Sequence, residues 1–248
     1  FHLIQNPAWV GFSNYQTLFL NDGLFWTSLK NSAYYTVVSV PFDLAVALFF
    51  AILLNVKIWG RSFFRTAFYL PTVVPTVPSA ILWVMLFNTD GGIVNEALGL
   101  FHIPAVPWLS SPNWAMPALI LLSIWGIGAA VIIFLAGLQD VPQVLYEAAQ
   151  IDGAGPIQMG WYITVPMVSP VILFNFVLGM IGAVQVFTVP FIMTAGGPLN
   201  ATLMYSLQLF NNAFVYYEMG YASAMAWILF IIIFGLTLLS LRLSRSYV

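Results

Sequence analysis

The chain of 248 residues is 61% hydrophobic and only 6% charged, with a formal net charge of -2 and a mean hydropathy of +0.95. Soluble domains carry about a quarter charged residues, so this composition excludes an ordinary water-soluble globule and points to lipid as the surrounding solvent. The charge is too weak and dispersed for a nucleic-acid surface; there is no cysteine, no metal site founded on the distant His2 and His102, and no GxxxxGK run to cradle ATP.

In chain order, the opening "FHLIQNPAWVGFSNYQ" lacks the basic start, apolar run and cleavage site of a signal peptide. The first apolar run, 33–54, is broken only by Asp43, just after Pro41, and at 1.5 Å per residue it reaches about 33 Å, enough to cross a bilayer. The second, 66–87, is uncharged but carries Pro71, Pro75 and Pro78, so its middle is expected to kink or unwind. Between it and the third run, 117–138, Asp90-Gly91-Gly92 reads as a turn before a short amphipathic segment, and Trp108 and Trp114 are expected in an interfacial aromatic belt. The fourth run is 170–193, with 163–169 as an interfacial lead-in, and the fifth is 222–241. Small residues at Gly126 and Ala130, at Gly220 and Ala224, and at Ala222 and Ala226 predict close helix packing.

Five of the six basic residues, Lys57, Arg61, Arg65, Arg242 and Arg245, follow the first and fifth runs. Placing both groups in the cytoplasm leaves Lys30 outside and puts 1–32, 88–116 and 194–221 outside with 139–162 inside. An external first segment needs delivery across the bilayer, so the reading is a single transmembrane domain over 1–248 that lacks an N-terminal span of the full protein.

The internal connection "LQDVPQVLYEAAQIDGAGPIQMGW" has the layout of a short helix, a break and a second short segment. Asp140 is expected to cap the first helix, Pro142 to occupy its first turn and Gly153 to end it, with Gly155-Pro156 reinforcing the break. Val144, Ala148 and Ile151 form an apolar stripe beside a polar one of Gln143, Glu147 and Gln150. The residues alone leave two readings open, a docking helix for a cytoplasmic partner and an interfacial helix that merely connects two spans.

The run Glu147-Ala148-Ala149, then Gly153, then Ile163-Thr164-Val165-Pro166 resembles the EAA-x3-G-x9-I-x-L-P pattern of membrane subunits of binding-protein-dependent ABC importers, in the carbohydrate group related to the maltose and glycerol-phosphate systems, with Val165 in place of the usual leucine. The resemblance extends from "GFSNY" to the end, through "GRSFFRTAFYLPTVVPTV", "PWLSSPNWA", "MTAGGPLNAT" and "MGYASAMAW". It implies an all-α polytopic permease bundle with kinked helices and a cytoplasmic coupling helix in the bacterial or archaeal plasma membrane. It also implies a second permease subunit, two ATP-binding cassette subunits that use ATP and Mg, and an extracytoplasmic solute-binding protein. This chain would then bind no cofactor and catalyse no reaction, and Glu147, Ala148, Ala149, Asp152 and Gly153 would match the coupling core seated in the ATPase. Family members usually carry a further span before the external entry segment.

Other positions carry weaker signals. Asp43 is the one acid within a proposed span; with no basic partner or relay in the spans, a packed polar contact or a kink outweighs proton coupling. Trp83, Trp125, Asn175, Gln185 and Thr188 are candidates to line a pathway for a polyhydroxy solute, against a role in helix packing. In "TAGGPLNAT", Thr194, Gly196, Gly197 and Pro198 are candidates for an external gate or a docking surface, against a plain tight turn. Two alternative functions follow from the same residues, a proton-coupled secondary carrier and a structural membrane adaptor.

Overall fold

A computed structural model describes residues 9–56 and 60–244. His2, Lys57 and Arg245 lie outside the described residues. Helices dominate throughout: α1 (Ser13–Leu20), α2 (Gly23–Asn55), α3 (Arg61–Val73), α4 (Thr76–Leu86), α5 (Ile93–Leu100), α6 (Pro112–Ser123), α7 (Gly128–Gln139), α8 (Gln143–Ile151), α9 (Pro156–Met159), α10 (Val165–Met167), α11 (Ser169–Val184), α12 (Thr188–Met193), α13 (Tyr205–Phe210) and α14 (Met219–Ser244). Among the described residues three segments, Gly23–Asn55, Ser169–Met193 and Met219–Arg242, are long and apolar enough to cross a membrane. The pairs Ser62–Val73 with Thr76–Leu86, and Pro112–Gly126 with Gly128–Gln139, qualify when each is taken as one bent span.

Helix α2 begins well before the apolar run that was expected to form it. Asp22 Oδ1 accepts from the amides of Leu24 at 2.8 Å and Phe25 at 3.0 Å, so the acid satisfies two donors that the first helical turn leaves over. At 33 residues the helix is about 50 Å long, some 20 Å more than a hydrocarbon core needs, and the polar residues Lys30, Asn31 and Ser32 fall in its N-terminal third. Pro41 removes one donor from the ladder and the helix continues past it.

Of the three prolines in the second run, one breaks the helix. Pro75 forces Val74 into extended backbone, φ -72° and ψ 127°, and itself occupies the N-cap of α4. Pro78 falls in the first turn of α4, where an absent N–H costs nothing, and Pro71 lies inside α3. The fourth run is also interrupted: α11 stops at Val184 and α12 restarts at Thr188, with Pro190 in its first turn. The lead-in to α11 is a π-helical turn, Gly160–Thr164, followed by α10.

The chain forms two compact units. The first comprises Phe1–Ser39, Pro75–Leu122 and Met180–Leu239. Its core gathers Leu18, Phe25, Tyr205, Tyr221, Ala224 and Met225, where the Tyr205 hydroxyl donates to the Met225 carbonyl at 2.8 Å and the Tyr221 hydroxyl donates to Asp22. Ala222 and Ala224 are buried here, as small residues at a helix contact should be, whereas Ala226 is exposed. In the same unit Trp108 is buried, in contrast to the expected aromatic belt. Its ring lies 5.3 Å from Phe87 and 5.4 Å from Trp114, and its indole N–H donates to Asn95 Oδ1 at 3.0 Å. A buried indole N–H needs an acceptor, and Asn95 supplies one.

The second unit comprises Val40–Val74, Ser123–Gly179 and Ser240–Val248. Ala47 and Ala51 of α2, one turn apart, are fully buried in a core with Val131, Phe134 and Leu135 of α7. The close approach expected at Gly126 occurs instead at Gly128, where an added Cβ would lie 2.3 Å from the Phe68 carbonyl oxygen of α3; around Gly126 there is open space. Gly137 meets α11 in the same manner, with a Val171 methyl 2.7 Å from the position of a Cβ.

Candidate functional site

The connection between α7 and α11 lies wholly in the second unit. Pro142 takes the N-cap of α8 in extended backbone and no side chain caps the helix, contrary to the expectation for Asp140. Asp140 is instead the C-cap residue of α7 and stands two positions short of the place from which a carboxylate reaches the first amides of α8. The other end closes as the sequence predicts. Gly153 has φ 79°, its amide donates to the Gln150 carbonyl at 3.1 Å, and the Ala154 amide donates to the Ala149 carbonyl at 2.9 Å. That bond pair is a Schellman stop, and it requires a left-handed residue at position 153.

Between these ends α8 is almost wholly exposed. Glu147, Ala148, Asp152 and Gly153 face open space, Ala149 is half-buried, and the stripe residues Val144 and Ile151 are 70% and 88% exposed. Tyr146 is the inward exception: its ring packs on the unit's core and its hydroxyl lies 2.9 Å from Thr164 Oγ1 in the π-helical turn. The result is a short, firmly terminated helix whose exposed surface carries the Glu147 carboxylate, Ala148 and the aliphatic side chains of Val144, Leu145 and Ile151. The sequence placed Thr164 only at the variable position of the I-x-L-P pattern and gave Tyr146 no role, since nothing in their spacing announces a bond across 18 residues.

The candidate pathway residues divide between the units. In the first, Trp83 of α4 is half-buried with its ring 5.0 Å from Phe87, α4 packs against α12, which opens at Thr188, and Gln185 is exposed in the break before α12. In the second, Trp125 lies in the 3-10 turn Ile124–Gly126, and Asn175 is buried with its Nδ2 donating to the Val171 carbonyl at 2.9 Å, so one donor is committed to its own helix. Beside Gln185 and Thr188 the fold assembles a row of phenyl rings that sequence reading missed: Phe187 stacks on Phe191 at 5.2 Å, and Phe210 touches Phe187 at 4.9 Å and Phe214 at 5.1 Å. An apolar recess of about 290 Å³ in the second unit, among Pro41, Leu48, Phe134 and Phe176, suits hydrocarbon better than a polyhydroxy solute.

The "TAGGPLNAT" segment is held from both sides. The hydroxyls of Thr194 and Thr202 are 2.6 Å apart, and they also reach the Pro190 and Gly197 carbonyls at 2.9 and 2.7 Å, so two protons serve three contacts. From α2, Asn31 Nδ2 donates to the carbonyls of Asn200 at 2.8 Å and Leu203 at 3.1 Å, while Ser32 Oγ accepts the Tyr205 amide at 2.8 Å. The peptide Gly197-Pro198 is cis, Gly196 has φ 85°, and Leu199 and Asn200 are also left-handed. Leu199 is left 89% exposed at the tip. Asp43, half-buried in the second unit, accepts a 2.8 Å bond from Ser123 Oγ, a packed polar contact. Among the described residues no group of three or more His, Cys, Asp or Glu side chains could hold a metal.

Residues 43–247 match the family model described as "Binding-protein-dependent transport system inner membrane component". The chain is 41% identical over 252 residues to the probable ABC transporter permease protein YesP of Bacillus subtilis, covering 100% of this chain and 81% of YesP. It is 34% identical over 246 residues to the trehalose/maltose transport system permease protein MalF of Thermococcus litoralis, covering 98% and 82%. Its backbone superposes, with a TM-score of 0.86 and 25% identity over 96% of this chain and 83% of the other, on a chain of the crystal structure of a bacterial alginate ABC transporter in complex with an alginate pentasaccharide-bound periplasmic protein.

Proposed function

Because this chain belongs to the family of binding-protein-dependent transport system inner membrane components, we propose that it forms one half of the translocation path of an ATP-driven sugar importer in the plasma membrane, with α8 as its contact to the motor. A second permease subunit, two ATP-binding cassette subunits using ATP and Mg, and an extracytoplasmic solute-binding protein complete the assembly. The alginate importer crystallised with a saccharide-loaded periplasmic protein and MalF named for trehalose and maltose support a saccharide as the cargo. The substrate-loaded binding protein docks outside, where the rigid Thr194–Pro198 segment and the exposed Leu199 offer a fixed surface. Trp83, Trp125, Asn175, Gln185 and Thr188 are the candidate contacts along the path.

The observation that carries this reading is the exposed α8, which bears Glu147-Ala148-Ala149 and ends in a left-handed Gly153 between two membrane helices. Closure of the ATPase pair on ATP would displace a helix seated in it, and α7 and α11 would carry the displacement into the bilayer. Directed uptake then requires that the solute and its binding protein contact the outward and inward states differently. The test is reconstitution of the intact assembly in proteoliposomes with its binding protein, followed by uptake assays across mono-, di- and oligosaccharides. Accumulation that needs ATP and survives collapse of the proton gradient is expected; accumulation driven by the proton gradient without ATP would sink the proposal.

A further inference from the structure

Helix α8 is tied back to its own return path by a contact that reaches the π-helical turn. After Gly153 the polypeptide turns through α9 into the π-helical stretch Gly160–Thr164, a rare geometry whose wider turns bond i to i+5 and which occurs mostly as single turns, frequently at functional sites. Thr164 is buried, at 6% exposure, and its Oγ1 stands 3.4 Å from the Met159 carbonyl and 2.9 Å from the Tyr146 hydroxyl. The bond from α8 thus lands on the last residue of the π-helical stretch, immediately before α10 and α11. Thr164 is buried and Tyr146 half-buried, which limits the access of water to the bond, and Gly137 lets α7 approach Val171 of α11 closely at the base of the same loop.

We propose that the Tyr146–Thr164 hydrogen bond is a latch that ties α8 to the residue that ends the π-helical turn and leads through α10 into α11, so that displacement of α8 reaches the membrane helix and is not absorbed by bending earlier in that turn. The inference rests on α8 being the ATPase contact described above. Tyr146 and Thr164 act here as positioning residues: neither is required to touch the ATPase or the solute.

Tyr146→Phe and Thr164→Val each remove one hydroxyl at nearly constant volume, and Thr164→Ser keeps it. The sequence has no cysteine, so Gln150→Cys in α8 and Phe174→Cys in α11 accept spin labels at two exposed positions of the same unit. In the intact assembly trapped with MgATP and orthovanadate, the parent pair should give one narrow distance distribution. Tyr146→Phe and Thr164→Val should broaden it and raise the ATP consumed per saccharide imported about five-fold, the weight of one hydrogen bond, while Thr164→Ser stays near the parent. Glu147→Ala, measured alongside by co-purification of the ATPase subunit, separates the two levels of the argument. If it weakens association while both hydroxyl deletions leave distance and ratio unchanged, the latch is wrong and the coupling role of α8 stands. If Glu147→Ala leaves association and ATP turnover untouched, the coupling role fails and the latch falls with it.

Discussion

The side-chain amide of Asn95 ties together three parts of the segment between α4 and α6. Its Nδ2 lies within 3.3 Å of the carbonyls of Asn88, Thr89 and Val106, and its Oδ1 accepts from the Val106 amide at 3.1 Å and the Trp108 indole at 3.0 Å. Asn95→Leu removes the acceptor of the Val106 amide and of the buried Trp108 indole N–H, and a donor shared by three carbonyls of which that of Val106 keeps the Trp108 amide, at about 1–3 kcal/mol for each group that water cannot reach. The thermal midpoint in detergent, followed by tryptophan fluorescence, should fall by several degrees, and an unchanged midpoint would show that water replaces the amide. Gly128 and Gly126 make a paired test of packing. Gly128→Ala places a methyl group against the Phe68 backbone and should lower the yield of folded protein, whereas Gly126→Ala meets open space and should be tolerated.

At the scale of elements, α8 is informative because its two ends are determined differently. The start depends on Pro142, whose fixed φ and missing N–H set the chain without any capping side chain, so replacement of Asp140 by Asn should leave the helix intact. The stop depends on a left-handed residue, and Gly153→Val imposes a side chain on a φ of 79° at a cost of about 1–2 kcal/mol. Hydrogen exchange at the Gly153 and Ala154 amides should accelerate about ten-fold, and co-purification of the ATPase subunit should drop. Full retention of both would remove the Schellman stop from the functional account. The breaks at Val74–Pro75 and before Thr188 obey related proline rules, and only the first was anticipated. Pro75 sits in mid-run where an N–H is needed, whereas Pro190 acts from the first turn of a helix whose start was hidden in a continuous apolar stretch.

At the scale of the whole molecule, the arrangement of sides follows from the proposed function and is directly measurable. Ile151 and Leu199 are both highly exposed apolar residues, one on α8 and one at the tip of the loop after α12. With a membrane-impermeant maleimide, Leu199→Cys should react in intact cells or spheroplasts and Ile151→Cys only after permeabilisation. The opposite pattern would place α8 on the side away from ATP and end the transport mechanism proposed here. A third variant, Trp161→Cys, exposed in the π-helical turn, should behave like Ile151→Cys.

The sequence by itself determined the solvent, the all-helical class, the family and the stop at Gly153. Hydropathy, proline and glycine act locally, and the Glu147-to-Pro166 pattern is a short-range signature. Only the tertiary structure decided which glycine admits a neighbouring backbone, which tryptophan is buried, where α2 begins and which hydroxyl Tyr146 meets. The reason lies in the helices themselves: segments such as α4, α7 and α11 are apolar on every side, so no stripe marks the face that will be covered. In water a polar face would have named its opposite; in lipid both faces read alike, and the choice falls to shape, to small residues and to the few polar groups that must find partners. Those partners, Asn31 with residues near 200, Asn95 with Trp108, and Tyr146 with Thr164, become neighbours only when the chain has folded.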